Sequence, residues 1–248
     1  MSDWTVNTRL AERLQKGLPR PVYSFLRNSA AALLTPILFA KRTGHFRSSL
    51  RARSIDSAGN PIPWYTYPAI DFLAGKDFAG KKVLEYGAGH STLWWMKRAA
   101  EVVAIEGSED WYHHLLGKIG KNVTLHLMRK PSEDLRPVFA GRRFDIIVID
   151  GVDGTGCNRG ESAQMIVDVD LLAPGGAIIF DDSEGSFDVP GNEWQKSSHN
   201  IVFFRDKGFS RIDFFGYAPG QMQWRCTSLF FKGNCFLFEG KEVPRKSE

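Results

Sequence analysis

The chain is poor in cysteine. Its 248 residues include three, Cys157, Cys226 and Cys235, an odd number with no Cys-x-x-Cys pair. This excludes a disulfide framework and a zinc site, and it points to a reduced, cytoplasmic setting. No short basic region runs into an apolar core at the N-terminus, so a cleaved signal peptide is not expected. There is also no uninterrupted apolar run of the roughly 20 residues that cross a bilayer. The nearest approach, Ala30 to Ala40, is eleven residues long, and Pro36 within it is expected to interrupt a helix. Internal repeats and low-complexity tracts are missing as well.

What remains is ordinary for one α/β domain preceded by an extension, with 43% hydrophobic and 24% charged residues. The boundary is expected near residue 60, dividing a basic, partly apolar extension (1–60) from a ligand-binding domain (61–248). The net charge of +4 hides an asymmetry. Residues 1–53 carry ten Lys or Arg against two acids, Asp3 and Glu12, so this segment is +8 and the remainder −4. A mildly acidic body with a basic leader does not fit a nucleic-acid enzyme with a basic cleft, and no nucleic-acid partner is expected. The apolar stretch lies between Arg27 and Lys41-Arg42. Residues 22–42 therefore have two readings. One is peripheral contact with an anionic membrane; the other, preferred because apolar helices pack more often than they anchor, is a helix covering the domain.

Residues 83–92, Val-Leu-Glu-Tyr-Gly-Ala-Gly-His-Ser-Thr, are the most informative ten in the chain. An apolar strand ends in an acid, Glu85, and is followed by Gly87 and Gly89. Ser91 and Thr92 then open a helical run. The next apolar strand, Val102 to Ile105, ends in Glu106, roughly 20 residues beyond the first acid. This is the layout of a nucleoside-binding βαβ unit, in which glycines let backbone approach the ligand and the second acid grips ribose hydroxyls. With Ser91 where a third glycine would pack helix against strand, a dinucleotide is disfavoured.

From residue 81 the pattern alternates between strand and helix, which implies a parallel sheet. Strands are expected at Lys82–Glu85, Glu101–Ile105, Val123–Leu127, Phe144–Asp150 and Ala177–Asp181. Helices are expected at Ala69–Ala74, Ser91–Ala100, Glu109–Ile119, Arg159–Leu172 and Asn192–Lys207. Phe209–Phe214 and Cys226–Lys232 read as two late strands, and Asn234–Phe238 continues or pairs with the last. The joint Asn60–Pro68 sets Trp64, Tyr65 and Tyr67 among prolines. They either line the cleft or pin the leader to the domain, and both readings stay open.

Val83–Thr92 followed by Glu106 resembles the cofactor loop of class I S-adenosylmethionine-dependent methyltransferases, and the resemblance extends over residues 64–238. It implies a Rossmann-like α/β fold with a doubly wound, mostly parallel seven-stranded sheet. It implies S-adenosylmethionine as cofactor, contacted by Glu85, Gly87, Gly89 and Ser91, with Glu106 on the ribose. By the same resemblance Ser132 and Glu133 sit near the adenine, and Asp150 borders the cofactor.

Ligands bind beyond the C-terminal ends of strands in such sheets, and three carboxylates fall there: Asp150, Asp181 and Asp182. Acids brought together repel unless a cation or a shared proton compensates, and all-oxygen ligands suit Mg²⁺. The set resembles the metal-dependent O-methyltransferases, whose sugar-modifying branch carries an Asp-Asp pair. That implies a small-molecule acceptor, a sugar, polyol or phenol, with Asp150, Asp181 and Asp182 as metal ligands. Asp150 and Asp153 are the candidate catalytic acids and bases, ahead of His113 and His114, which are expected on a helix surface. Asp182-Ser183 also reads as a turn or helix cap, so a metal-free N- or O-methyltransferase of another small metabolite stays open. A non-enzymatic nucleoside binder of the same fold is the alternative outside catalysis. Gly151–Gly160 and Ser183–Glu193 are expected to shape the acceptor pocket. Arg159 in the first reads as a surface or helix-start residue, with an anion clamp for the substrate as the alternative, and Phe187 and Trp194 lie at the second.

Overall fold

The computed structural model describes residues 8–129, 135–139, 141–151, 159–185 and 196–240. The N-terminal part is helical: α1 (Thr8–Gly17), α2 (Arg20–Thr43), α3 (His45–Arg51) and α4 (Tyr67–Ala74). Strands and helices then alternate through β1 (Lys82–Tyr86), α5 (His90–Met96), β2 (Glu101–Glu106), α6 (Glu109–Leu116) and β3 (Val123–Leu127). The short α7 (Arg136–Phe139) follows, then β4 (Phe144–Ile149), α8 (Arg159–Asp168), β5 (Leu172–Phe180) and α9 (Ser197–Asp206). β6 (Ser210–Tyr217) and β7 (Trp224–Phe231) complete one seven-stranded sheet of order β3-β2-β1-β4-β5-β7-β6. The first five strands are parallel, and β7 runs antiparallel to both β5 and β6.

Apolar continuity explains the strand positions. β1, β2 and β4 are covered on both faces, so Val83, Leu84, Val102 to Ile105 and Ile146 to Ile149 are all buried. This is the composition expected of central parallel strands. Two core layers result. One packs Trp94, Trp95 and Phe78 against the sheet, with the Phe78 and Trp95 rings edge-to-face at 4.9 Å. The other is built around Phe139, Phe144, Phe180, Phe204 and Phe230. Burying rings of this size contributes about 3 kcal/mol each at most.

The expected strands match to within about one turn's length, and three differences have physical causes. Asn234–Phe238 adds no strand; its end, Phe236–Phe238, is a 3-10 helix, in which Phe236 and Phe238 meet Phe78, Phe72 and Phe231. β5 begins earlier than expected, at Leu172, because Phe144 pairs with Leu172 across a register shift. Pro36 does not break α2, which continues to Thr43. α2 has no buried residue, so the carbonyl that lacks a partner one turn before Pro36 faces water and the cost stays small. That same exposure overturns the preferred reading of α2 as a packed helix. Its C-terminal end meets the body, where the Phe39 ring stands edge-on to Tyr67 at 5.3 Å.

Candidate active site

The strand order reverses between β1 and β4, which opens a crevice at their C-terminal ends. Tyr86 and Asp150 close it from below, with the Asp150 amide donating to the Tyr86 carbonyl at 2.9 Å. Gly87 follows with φ +93°. A Cβ there would lie 2.3 Å from the Asp150 carbonyl oxygen, so both conformation and space demand glycine. Gly89 is different. A Cβ would meet only Trp111 Nε1 and Ser91 Oγ, at 3.7 and 3.8 Å. Its missing side chain keeps the loop mouth open. Trp111 of α6 braces this loop by donating from Nε1 to the Ala88 carbonyl at 2.7 Å.

Glu106 ends β2 and is buried. Its carboxylate accepts from the Ser108 amide at 2.7 Å and from the Gly107 and Ala88 amides. Burial raises its pKa while those three amides pull it back. One acid thus ties the end of β2 to the glycine loop. Glu85 is fully buried and serves α5: Thr92 Oγ1 and Ser91 both hydrogen-bond its carboxylate, and Thr92 Oγ1 also accepts from the Gly89 amide at 2.9 Å. Glu85 Oε1 has no partner among the described residues, and burial pushes the group up to about 8. An orphaned buried oxygen, a glycine mouth and a buried ribose-height acid fit a nucleoside carrying an amino group.

The other half of the crevice is acidic. Ile149 pairs with Phe180, so Asp150 and Asp181-Asp182 emerge side by side. The Asp181 amide donates to the Ile149 carbonyl at 3.1 Å, and Asp182 adopts φ +51°, a conformation Asp tolerates better than most residues. The three carboxylates offer oxygens within 4.8 Å of one another. Arg159, at the start of α8 and almost wholly buried, sets Nη2 3.3 Å from Asp182 and 3.6 Å from Asp150. Arg225 of β7 places Nη1 3.8 Å from Asp182 and 3.4 Å from Glu184. Thr227 Oγ1 donates to Asp181 at 2.5 Å.

These neighbours grade the three acids. Burial raises Asp150 to about 7 against the pull of Arg159, with Asp182 pushing it up further. Burial and the charges of Asp182 and Asp150 hold Asp181 well above the carboxylate range. Asp182 is raised by burial but opposed by Arg159 and Arg225. Asp150 combines a near-neutral pKa with a side chain that is 20% exposed, the combination a general base needs.

No model of a known protein family matches the sequence, and no curated protein matches it. Solved structures do resemble the chain. The cofactor-bound protein Rv0187 from MTB shares 19% identity over 86% of this chain and 96% of its own, with a TM-score of 0.51. The O-methyltransferase TomG from Streptomyces achromogenes, solved with SAM, shares 17% over 65% and 76%, with a TM-score of 0.47. A methyltransferase from Pyrococcus furiosus shares 19% over 82% and 99%, at 0.42. The chain has the class I methyltransferase fold.

Of the residues expected at the site, Glu85, Gly87, Gly89, Ser91, Glu106, Asp150, Asp181 and Asp182 all stand along the C-terminal edge of the sheet. Ser132, Glu133 and Asp153 lie outside the described residues, as do Cys157, Phe187 and Trp194. His113 and His114 lie on α6, where His113 is exposed and His114 stacks on Trp111. Sequence reasoning missed Arg225, whose place depends on antiparallel pairing. It left Tyr65 undecided. Tyr65 is fully buried and accepts from Trp95 Nε1 at 3.4 Å. Burial raises its pKa, and the charges of Glu85, Asp150 and Asp181 add to this. Its ring and hydroxyl are thus packed into the core beside Trp95 of α5, and the signal was the aromatic cluster among prolines. Residues just upstream close the loop from above. His90 Nδ1 lies 2.7 Å from the Ser54 carbonyl, and the Thr66 amide donates to Thr227 Oγ1 at 3.0 Å.

Proposed function

We propose that the protein transfers a methyl group from S-adenosylmethionine to an oxygen of a small molecule, a sugar, polyol or phenol. The observation that carries this reading is Asp150, a partly open carboxylate poised near neutrality beside the glycine loop. Glu106 would hold the ribose, while Gly87 and Gly89 admit the amino-acid end and Glu85 Oε1 receives its ammonium. When bound, the cofactor supplies an electrophilic methyl on a sulfonium whose thioether departs uncharged. The chain itself must then orient the acceptor and take its proton. Asp150 takes it at Oδ1 or Oδ2, and Arg159 limits the charge that accumulates. Asp153 is a second candidate base.

Two readings differ in what balances Asp150, Asp181 and Asp182. Their oxygens suit Mg²⁺ in kind and spacing, and Mg²⁺ would supply Lewis acidity toward an acceptor hydroxyl. Arg159 and Arg225 favour the metal-free reading, because two guanidinium groups already stand within 4 Å of the cluster. Turnover of acceptor panels with S-adenosylmethionine, before and after chelation and with Mg²⁺ restored, tests both. Methyl transfer that survives chelation supports the metal-free site; loss and recovery with Mg²⁺ supports the metal. Calorimetry that detects NAD binding but no S-adenosylhomocysteine binding overturns the whole reading. Cofactor binding without turnover on any acceptor returns the chain to a non-enzymatic nucleoside binder. We further propose a cytoplasmic location.

A further inference from the structure

Among the described residues, α2 carries a large apolar surface that nothing covers. Val22, Phe25, Leu26, Leu33 and Ile37 are all exposed, Phe25 and Leu33 by about 70%. Val22, Leu26, Leu33 and Ile37 follow one another at steps of four, seven and four residues, which aligns them along one side of the helix. Arg20, Arg27 and Arg42 fall on the opposite side and are exposed. Apolar surface continues past the end of α2 in Phe46 and Leu50 of α3 and in Met222 and Trp224, all exposed. A soluble monomer rarely shows a contiguous patch of this kind without using it.

Charge identifies the occupant. Between Arg13 and Ile55 the sequence contains no Asp or Glu, whereas basic residues recur from Arg13 to Arg53. A second copy would bring two such segments together and repel, but an anionic surface complements them. We infer that α2 seats the protein in the plane of an anionic membrane, its apolar side among the acyl chains and its arginines at the headgroups. α2 has 24 residues and is long and apolar enough to cross a bilayer, but Arg27 would then sit in the hydrocarbon. Lying in the plane leaves every arginine in the headgroup layer.

The joint to the body is built to transmit this placement. Gly44 ends α2 at φ +79°, with Asp56 so close that a Cβ would lie 2.3 Å from its carbonyl carbon. His45 Nδ1 accepts from the Gly220 amide at 3.3 Å, and Trp64 Nε1 donates to the Pro219 carbonyl at 2.7 Å. The loop after β6 lies at the same sheet edge as Asp150, because β7 runs antiparallel to β5. Seating α2 on a membrane would hold the mouth of the crevice close to it.

Co-sedimentation of the full chain with vesicles of phosphatidylcholine alone, and of phosphatidylcholine with phosphatidylserine, tests the inference without relying on methyl transfer. Binding is expected to be about a hundredfold tighter to the anionic vesicles and to weaken steeply with salt. L33E combined with I37E should abolish it, and R20Q with R27Q and R42Q should remove the anionic preference while circular dichroism stays unchanged. Absent binding to either vesicle, or equal binding to both, overturns the inference. Protein that resists extraction by high salt and alkaline carbonate spans the bilayer, which also overturns it. Oligomers that L33E with I37E disperses, in a chain that ignores vesicles, would make a second copy the occupant.

Discussion

The two halves of the crevice are built on opposite principles. Between β1 and β2 the donor half is made of backbone: one glycine that must be glycine, one that leaves space, and an acid whose hydrogen bonds go to amides. Between β4 and β5 the acceptor half is made of charge, three carboxylates set against two guanidinium groups. Backbone geometry is rigid and local, so the donor half is legible as a motif. A charge cluster is assembled from distant segments and can be balanced in several ways, so no local motif marks it.

The contrast can be broken most severely at Gly87. Gly87→Val should abolish S-adenosylhomocysteine binding in calorimetry and destabilise the fold by about 3 kcal/mol or more, since the added Cβ meets backbone and not a movable side chain. Arg159→Met strikes the other half. It leaves Asp150 and Asp182 without their nearest cation and should cost about 3 kcal/mol of stability in thermal or denaturant unfolding. Methyl transfer should fall steeply, while S-adenosylhomocysteine affinity stays within about threefold. If cofactor affinity falls as much as turnover, the two halves are not separable. Glu106→Ala should weaken cofactor binding about 10–100-fold, as expected when charge-assisted hydrogen bonds are lost, and should also lower the melting temperature, since the Ser108, Gly107 and Ala88 amides lose their acceptor.

The smallest expected effect is a slope. Glu85 is raised from 4.5 to about 8 by burial. A carboxyl raised in the folded state contributes stability that is fully present below its unfolded pKa and is lost as pH climbs through the folded one. Stability should therefore decline between about pH 5 and pH 8, and Glu85→Gln should flatten that decline. A decline unchanged in Glu85→Gln would place the titrating group elsewhere, with Asp150 and Asp181 the next to replace.

How far the sequence could be read follows the same division. Glu85, Gly87, Gly89 and Glu106 lie within 22 residues, and their roles follow from one strand-turn-helix unit. Asp150 and Asp181 could be assigned to one edge because parallel strands end together. Arg225 could not, since β7 enters antiparallel after a hairpin and its register is set by pairing with β6. Tyr65 looked like either a wedge or a lining residue. Only the docking of the joint, with Tyr65 against Trp95 and Thr66 against Thr227, decides that its ring is buried in the core.

α2 shows the reverse case. Its helix was visible as an apolar stretch between basic residues, but whether that surface is covered depends on what lies nearby, and no residue of α2 is buried. From its own pattern the sequence determined a parallel α/β sheet, a glycine loop after its first strand, acids at the strand ends and a basic leader. These are consequences of local conformation and period. Tertiary structure alone decided which cations face the carboxylates, that Tyr65 is buried beside Trp95, and that α2 stays uncovered among the described residues. Those depend on contacts between residues far apart in the chain, and no local pattern encodes them.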